Sequence, residues 1–245
     1  MSRRIALLNT FVDNYNMDET IDIINQSIKD GKKLNHVVVN AAKVVSLQKD
    51  LKLRQSINEC DLINADGQAV VWASKILKKP LKERVAGIDI MEQLVRLAYE
   101  KKYKIFFFGA KENVVKQVVE TYKDKYNSEI IAGYRNGYFD VSEESAIAEE
   151  ISRSEADILF VAISSPTKEN FLYNNRELLK QVSFTMGVGG SFDVVSGLVK
   201  RAPLWMQKSG LEWFYRFLQE PGRMWKRYLT TNSKFIYLVL RARFS

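Results

Sequence analysis

The sequence predicts an α/β protein. It reads as Rossmann-like parallel sheet layers followed by a C-terminal helical, basic-aromatic appendage that associates with membranes. Three observations carry that prediction. Short apolar runs alternate with longer segments of helical period as far as Gly187. Strand signals stop after Gly190. Charge is segregated: residues 200–245 hold ten basic and two acidic residues, which accounts for the whole chain's +8, so residues 1–199 are neutral.

The elements follow in chain order. Ile5–Leu8 is a strand candidate. The basic start before it leads into too short an apolar stretch, with no small-residue cleavage site, for a secretory signal. Helix Thr20–Lys29 and strand Val37–Val39 come next, then helix Leu51–Glu59, strand Leu62–Ile63 and helices Gln68–Leu77 and Ile90–Glu100. Strand Ile105–Phe108, helix Glu112–Tyr126, strand Ile130–Ala132 and helix Glu143–Ser152 form a more regular series. Strand Ile158–Ala162, helix Glu169–Leu179 and strand Val182–Gly187 complete it. Residues 104–190 therefore read as a Rossmann-like half, and the less regular part before them as an N-terminal lobe. The boundary falls near Ser196–Lys200, giving a body over 1–199 and an appendage over 200–245. Pro203 can start a helix there, and Pro221-Gly222 should break one.

Composition narrows the function. A single cysteine, Cys60, allows no intrachain disulfide framework and fits a reducing compartment. The one histidine, His36, lacks the companions of a zinc site or a catalytic triad and reads as structural. Neither a D-x-D pair nor a ligand cluster marks a metal site, and no cofactor is expected. No apolar run approaches the roughly 20 residues that span a bilayer.

In the appendage, Trp205, Trp213, Phe214, Phe217, Trp225 and Tyr228 are threaded among Arg201, Arg216, Arg223 and Arg227. That mixture suits an anionic surface with an apolar layer beneath it, as a membrane has. A packed helical tail is the plainer alternative. Nucleic acid is not expected, because zinc-finger spacing, a KH loop and an RNP strand are all missing.

Polar residues gather where strands should end, which is where open α/β sheets bind ligands. Asn40 follows one strand. Asn64-Ala65-Asp66-Gly67 follows another, and Asp66 there is placed either as a general base or as a helix N-cap. Arg84-Val85-Ala86-Gly87 could clamp an anion or form a surface ion pair. Gly109 lies at a strand-to-helix turn that leaves room for phosphate, although the full dinucleotide fingerprint is absent. Ser164-Ser165-Pro166-Thr167-Lys168-Glu169 places Lys168 in a helix's first turn, against the dipole, which implies an anion nearby or a surface position. Gly187-Val188-Gly189-Gly190 implies close backbone approach to a ligand or to another segment.

Taken together these groups resemble the WecG/TagA/CpsF family of bacterial glycosyltransferases. The likeness covers nearly the whole chain. It is strongest in Asn64–Gly67, in Arg84–Gly87, and in GVGGSFDVVSGLVKRAP running into GLEWFYRFLQEP and RMWKRYL. The resemblance implies an inverting, metal-independent, membrane-associated enzyme. Its donor would be a nucleotide-diphosphate sugar, and its acceptor a polyprenyl-diphosphate-linked saccharide. It would act peripherally at the cytoplasmic face of the bacterial inner membrane, in surface polysaccharide or cell-wall polymer synthesis. It further implies Asp66 as the base, with Arg84 near the diphosphate and Asn40 at a strand end; the strand-end groups add Asn64, Gly109, Lys168, Glu169, Gly189 and Gly190 to the donor side. Arg201, Arg216, Arg223, Arg227, Trp205, Trp213 and Trp225 would meet the acceptor or the membrane. Where many members read G-x-P-x-Q-E this chain has Lys168 in place of the glutamine, which leaves a neutral hexose or hexuronic acid donor open beside N-acetylmannosamine. A non-catalytic membrane-bound assembly partner and self-association stay open as well.

Overall fold

The computed structural model describes residues 3–219 and 221–244; the side chains of Lys208, Arg223, Met224, Lys226 and Arg227 lie outside that description. A six-stranded sheet runs through the molecule. Its strands are β3 (Leu34–Val39), β4 (Leu62–Ala65), β5 (Ile105–Gly109), β6 (Ile131–Arg135), β7 (Ile158–Ala162) and β8 (Phe184–Gly187), in the order β4-β3-β8-β7-β5-β6. Every pairing is parallel. The sequence-predicted N-terminal strand is present as β1 (Arg4–Leu7), but it pairs antiparallel with β2 (Thr10–Asp13) in a separate hairpin. The TFVD run of β2 carries only two aliphatic or aromatic side chains of strand type, too weak a signal to read alone. β3 and β4 continue the same sheet as β5–β8, because β3 pairs with β8.

A parallel sheet covered on both faces buries alternate side chains to opposite sides. Leu34 and Val38 of β3 join one apolar cluster while Val37 and Val39 join another. Ile105 and Phe107 of β5 likewise part from Phe106 and Phe108. One face is covered by α1 (Met17–Lys29), α5 (Gly87–Lys101), α6 (Glu112–Lys125) and the short α9 (Ser191–Val195). The other is covered by α2 (Ala41–Ser46), α3 (Leu51–Asn58), α4 (Gln68–Ile76), α7 (Glu144–Arg153) and α8 (Thr167–Asn174). Asn16 starts α1 with a reciprocal capping box to Glu19. Asp50 starts α3 by accepting the Leu53 N–H.

The crossovers through α6 and α7 lie on opposite faces, so the chain reverses direction across the sheet between β5 and β7. That is a topological switch point, where strand ends diverge and leave a crevice. Gly109 sits there with φ +130°, and a Cβ on it would come within 2.5 Å of the Ala162 backbone. Only glycine permits so close an approach of β5 to β7.

The C-terminal segment comprises α10 (Leu204–Lys208), α11 (Glu212–Gln219) and α12 (Pro221–Phe244). Pro221 opens α12, as a proline in a first helical turn can. Gly210, at φ +75°, turns over the start of α4: a Cβ on it would lie 2.7 Å from Gln68 Cγ. Further along, Phe235 and Val239 are buried among Val44, Val70, Val71 and their neighbours. The segment is thus fixed to the body at both ends of its path, and a chain ending at Val199 would uncover part of this core. Between those fixed points it carries exposed apolar side chains, including Trp213, Phe214, Leu218, Trp225 and Leu229, and Trp205 is exposed just before them. Among the described residues no helix is long and apolar enough to cross a membrane.

This packing makes Phe235 part of the cooperative core. Phe235→Ala should lower unfolding free energy by about 3 kcal/mol, the usual cost of emptying a buried aromatic site. Phe214→Ala, at a half-exposed position, should stay within about 0.5 kcal/mol. Urea unfolding followed by far-UV circular dichroism measures both.

Candidate functional site

All six parallel strands end along one edge, and the candidate residues are gathered there. Asn40 follows β3 and caps α2, its Oδ1 accepting the Lys43 N–H at 3.0 Å. Gly67 lies against it: a Cβ on Gly67 would be 3.3 Å from that of Asn40. Asp66 comes just after β4, with its own N–H bonded to the Val39 carbonyl. The N-cap of α4 is Gly67, with no side-chain cap bond, so Asp66 is not spent on that helix. Its Oδ1 instead accepts the Gly87 N–H at 3.3 Å, at the start of α5. Burial pushes the Asp66 carboxyl above the ordinary aspartate value, while the charge of Arg84 and the Gly87 N–H draw it part of the way back. A carboxylate so placed is a stronger base than a solvated one and remains within reach of a proton donor.

Arg84 reaches the same place because Val85 N–H bonds to the Ala65 carbonyl, which aligns residues 84–87 with the end of β4. Its guanidinium is mostly buried. Nη1 lies 2.9 Å from Glu212 of α11, and Nη2 lies 4.0 Å from Asp89 of α5. Arg201 enters this cluster from the C-terminal segment. Its Nη1 is 2.6 Å from Asp89, and its Nε is 3.6 Å from Glu212. Sequence reasoning named Arg84, with Asp89 close by in the chain, and Arg201, but missed Glu212 and the link between the two arginines. Arg201 and Glu212 stand more than a hundred positions from Arg84, a separation that leaves no local signal.

Gly189, at φ +54°, has nothing within 4 Å of where a Cβ would stand, and Gly190 meets only Asp193. The glycine turn after β8 therefore faces open space and not a packed segment. Gly109, by contrast, is filled by Ala162.

Lys168 and Glu169 are brought together on the opposite face of the sheet. Gly87 lies against Met186 and Val38, whereas Lys168 lies along Gly187, the next residue of β8; a Cβ on Gly187 would come within 2.8 Å of Lys168 Cδ. Both Lys168 and Glu169 are buried. Glu169 Oε1 is 3.3 Å from Lys168 Nζ and 2.9 Å from Lys43 Nζ, and Lys43 also donates to the Val38 carbonyl at 2.7 Å. The anion implied by a lysine in a first helical turn includes this neighbouring carboxylate. Burial alone would raise the Glu169 carboxyl, but Lys43 and Lys168 more than offset it and hold it down at about 2. Lys43 gave no sequence signal, since it reads as an ordinary helix lysine.

Asn64 is fully buried, with its amide shared between His36 Nε2 at 2.8 Å and Thr20 Oγ1 at 3.2 Å. His36 is held neutral by burial, its pKa lowered to about 4. Burial pushes the Cys60 thiol up to about 12, which leaves it protonated and poorly nucleophilic. Of the appendage residues, Arg216, Trp205, Trp213 and Trp225 are exposed. Arg223 and Arg227 lie outside the described side chains. Among the described residues no group of three or more His, Cys, Asp or Glu is arranged to hold a metal.

A doubly wound sheet with a carboxylate and an arginine at its strand ends is a framework that suits group-transfer chemistry. The Glycosyl transferase WecG/TagA/CpsF family model matches residues 5–245. An N-acetylglucosaminyldiphosphoundecaprenol N-acetyl-beta-D-mannosaminyltransferase of Bacillus subtilis (strain 168) is 38% identical over 230 residues, covering 93% of this chain and 88% of the relative. A protein of the same name from Bacillus spizizenii (strain ATCC 23059 / NRRL B-14472 / W23) is 40% identical over 185 residues, covering 76% and 70% respectively. The chain belongs to the WecG/TagA/CpsF family of glycosyltransferases.

The buried Lys43–Glu169–Lys168 group predicts an acid-sensitive contribution to stability. Glu169's folded pKa lies below its unfolded value. Its contribution is therefore complete above the unfolded carboxylate range, about pH 4.5, and is lost as pH falls toward about 2. Glu169→Gln should leave two buried ammonium groups without their anion. It should cost on the order of 3 kcal/mol at neutral pH and flatten the stability profile between about pH 5 and 2. Chemical denaturation at several pH values reads both effects.

Proposed function

We propose that this chain moves a sugar from a nucleoside-diphosphate donor, a UDP-sugar, to a saccharide carried on a polyprenyl diphosphate. Transfer inverts the anomeric carbon, needs no metal, and takes place at the cytoplasmic face of the bacterial inner membrane. The observation that carries this reading is Asp66, held at the end of β4 and not spent on capping α4, with Arg84 beside it. Inverting transfer asks for one base and for positive charge opposite the departing diphosphate. Asp66 takes the proton from the acceptor hydroxyl as that oxygen attacks the anomeric carbon. The bond to the nucleoside diphosphate breaks with its electron pair, and the growing charge on that oxygen is met by Arg84 and by amides of the open Gly189-Gly190 turn. Asn40 borders the same space. Asn64, Gly109, Lys168 and Glu169 support the strand ends from beneath.

The relatives' names support the lipid-linked acceptor. Both relatives transfer N-acetylmannosamine. Lys168, beneath β8, is the residue through which donor choice in this chain would depart from theirs. The segment over 200–245 supplies the membrane contact, through exposed Trp205, Trp213 and Trp225 among its cationic side chains. The chain is anchored peripherally by this surface, with Asp66 and Arg84 of the body at the reacting centre.

Three outcomes are expected. Asp66→Asn should reduce transfer from a panel of UDP-sugars to a membrane-extract acceptor by about a hundredfold with an unchanged melting temperature. The acid limb of the wild-type pH–rate profile should lie above the ordinary aspartate range; near-normal turnover by the variant would remove Asp66 from the role. Activity should persist in EDTA, and loss restored by magnesium or manganese would require a metal. A Trp205→Ser/Trp225→Ser variant should partition less into anionic vesicles than wild type, and wild-type binding should weaken with salt. Equal partitioning by the two would place the membrane contact elsewhere.

A further inference from the structure

We infer that Arg201 is a second residue holding the donor's diphosphate, and that the Glu212 carboxylate occupies this position while the donor is absent. The inference rests on the nucleotide-sugar reading above. It starts from an imbalance in the cluster that joins the C-terminal segment to the strand ends. Two guanidiniums face two carboxylates, yet only two of the four ion pairs are short, at 2.6 and 2.9 Å; the others are 3.6 and 4.0 Å. Nε and Nη2 of Arg201 are shielded from solvent and have no hydrogen-bond partner. A planar guanidinium with buried, unused N–H donors is incompletely served by its carboxylates.

A diphosphate has what the cluster lacks. It carries more negative charge than one carboxylate, and its oxygens can accept from several N–H groups of both arginines at once. The cluster also lies where such a group would be needed, because Arg84 and Glu212 both act electrostatically on Asp66. The two carboxylates are not equivalent. Asp89 belongs to the first turn of α5, where the helix's positive end favours it, and α5 is bedded in the core through Ile90, Met91 and Leu94. Glu212 opens α11, a helix with no fully buried residue. Glu212 is therefore the one to leave. When phosphate oxygens take over its contacts to Arg84 Nη1 and Arg201 Nε, its carboxylate passes to solvent. Donor binding and the placement of α11 become one equilibrium, since an anion that competes for the same arginines must be displaced for the other to bind.

Calorimetric titration of the full chain with UDP tests this. Wild type should bind UDP. Glu212→Gln, which keeps the shape and removes the competing charge, should tighten binding by about fivefold, and Arg201→Gln should weaken it by about tenfold. Melting curves taken without UDP check that each variant is folded; if Arg201→Gln is not, Glu212→Gln decides alone. Wild-type binding that is unchanged or weakened by Glu212→Gln would overturn the inference while leaving the nucleotide-sugar reading in place. Wild-type binding that is also untouched by a folded Arg201→Gln would remove Arg201 from the site. Failure of every form to bind UDP would overturn the nucleotide-sugar reading and this inference with it.

Discussion

A parallel sheet buried on both faces leaves its polar business to its ends. Alternate side chains of β3, β5 and β7 are committed to one apolar cluster or another. The backbone between them is committed to ladder hydrogen bonds. Chemistry can only collect where the strands stop, and because all six run the same way they stop along one edge. Asn40, Asp66 and the Gly189-Gly190 turn stand at the ends of the adjacent strands β3, β4 and β8 for that reason, although more than a hundred residues separate the first from the last. The switch point between β5 and β7 lies on the same edge, and Gly109 there lets the two strands pack closely.

Two ionic groups lie on opposite faces of that edge and differ in what they can do. Lys43, Glu169 and Lys168 are buried with short contacts, and the carboxylate is strongly held in its charged form. Such a group resists change, because removing any member strands a charge in a poorly solvated place. Arg84, Asp89, Arg201 and Glu212 are only partly buried, and their contacts are uneven. One of the four comes from a helix without buried anchors. The first group suits a support for the strand ends, and the second suits a place where one anion can be exchanged for another.

The C-terminal segment is both tail and wall. Gly210 turns it over the first residue of α4, Arg201 ties it to Asp89 and Glu212 ties it to Arg84, and Phe235 with Val239 returns it to the core. The aromatic side chains between these fixed points stay exposed. A surface that is held to the body but leaves tryptophans outward can meet an apolar layer without unfolding anything.

The sequence alone determined the alternation of strands and helices, the order of the strand-end motifs, and the segregation of charge into residues 200–245. Each is encoded locally: by apolar period, by glycine or asparagine at a strand end, and by counts of basic residues. β2 and α2 escaped because four- and six-residue elements carry too little periodic signal. The α4-cap alternative for Asp66 and the surface alternative for Lys168 were removed only by the tertiary structure. Gly67 stands at the cap of α4, so Asp66 turns to Gly87 and Arg84. Burial against Gly187 and the carboxylate of Glu169 takes Lys168 off the surface. The pairing of Arg201 with Asp89, and of both arginines with Glu212, was likewise invisible beforehand. A residue's charge is written in its own side chain, but the dielectric and the counter-charge around it come from segments far apart in sequence, and only folding brings those together.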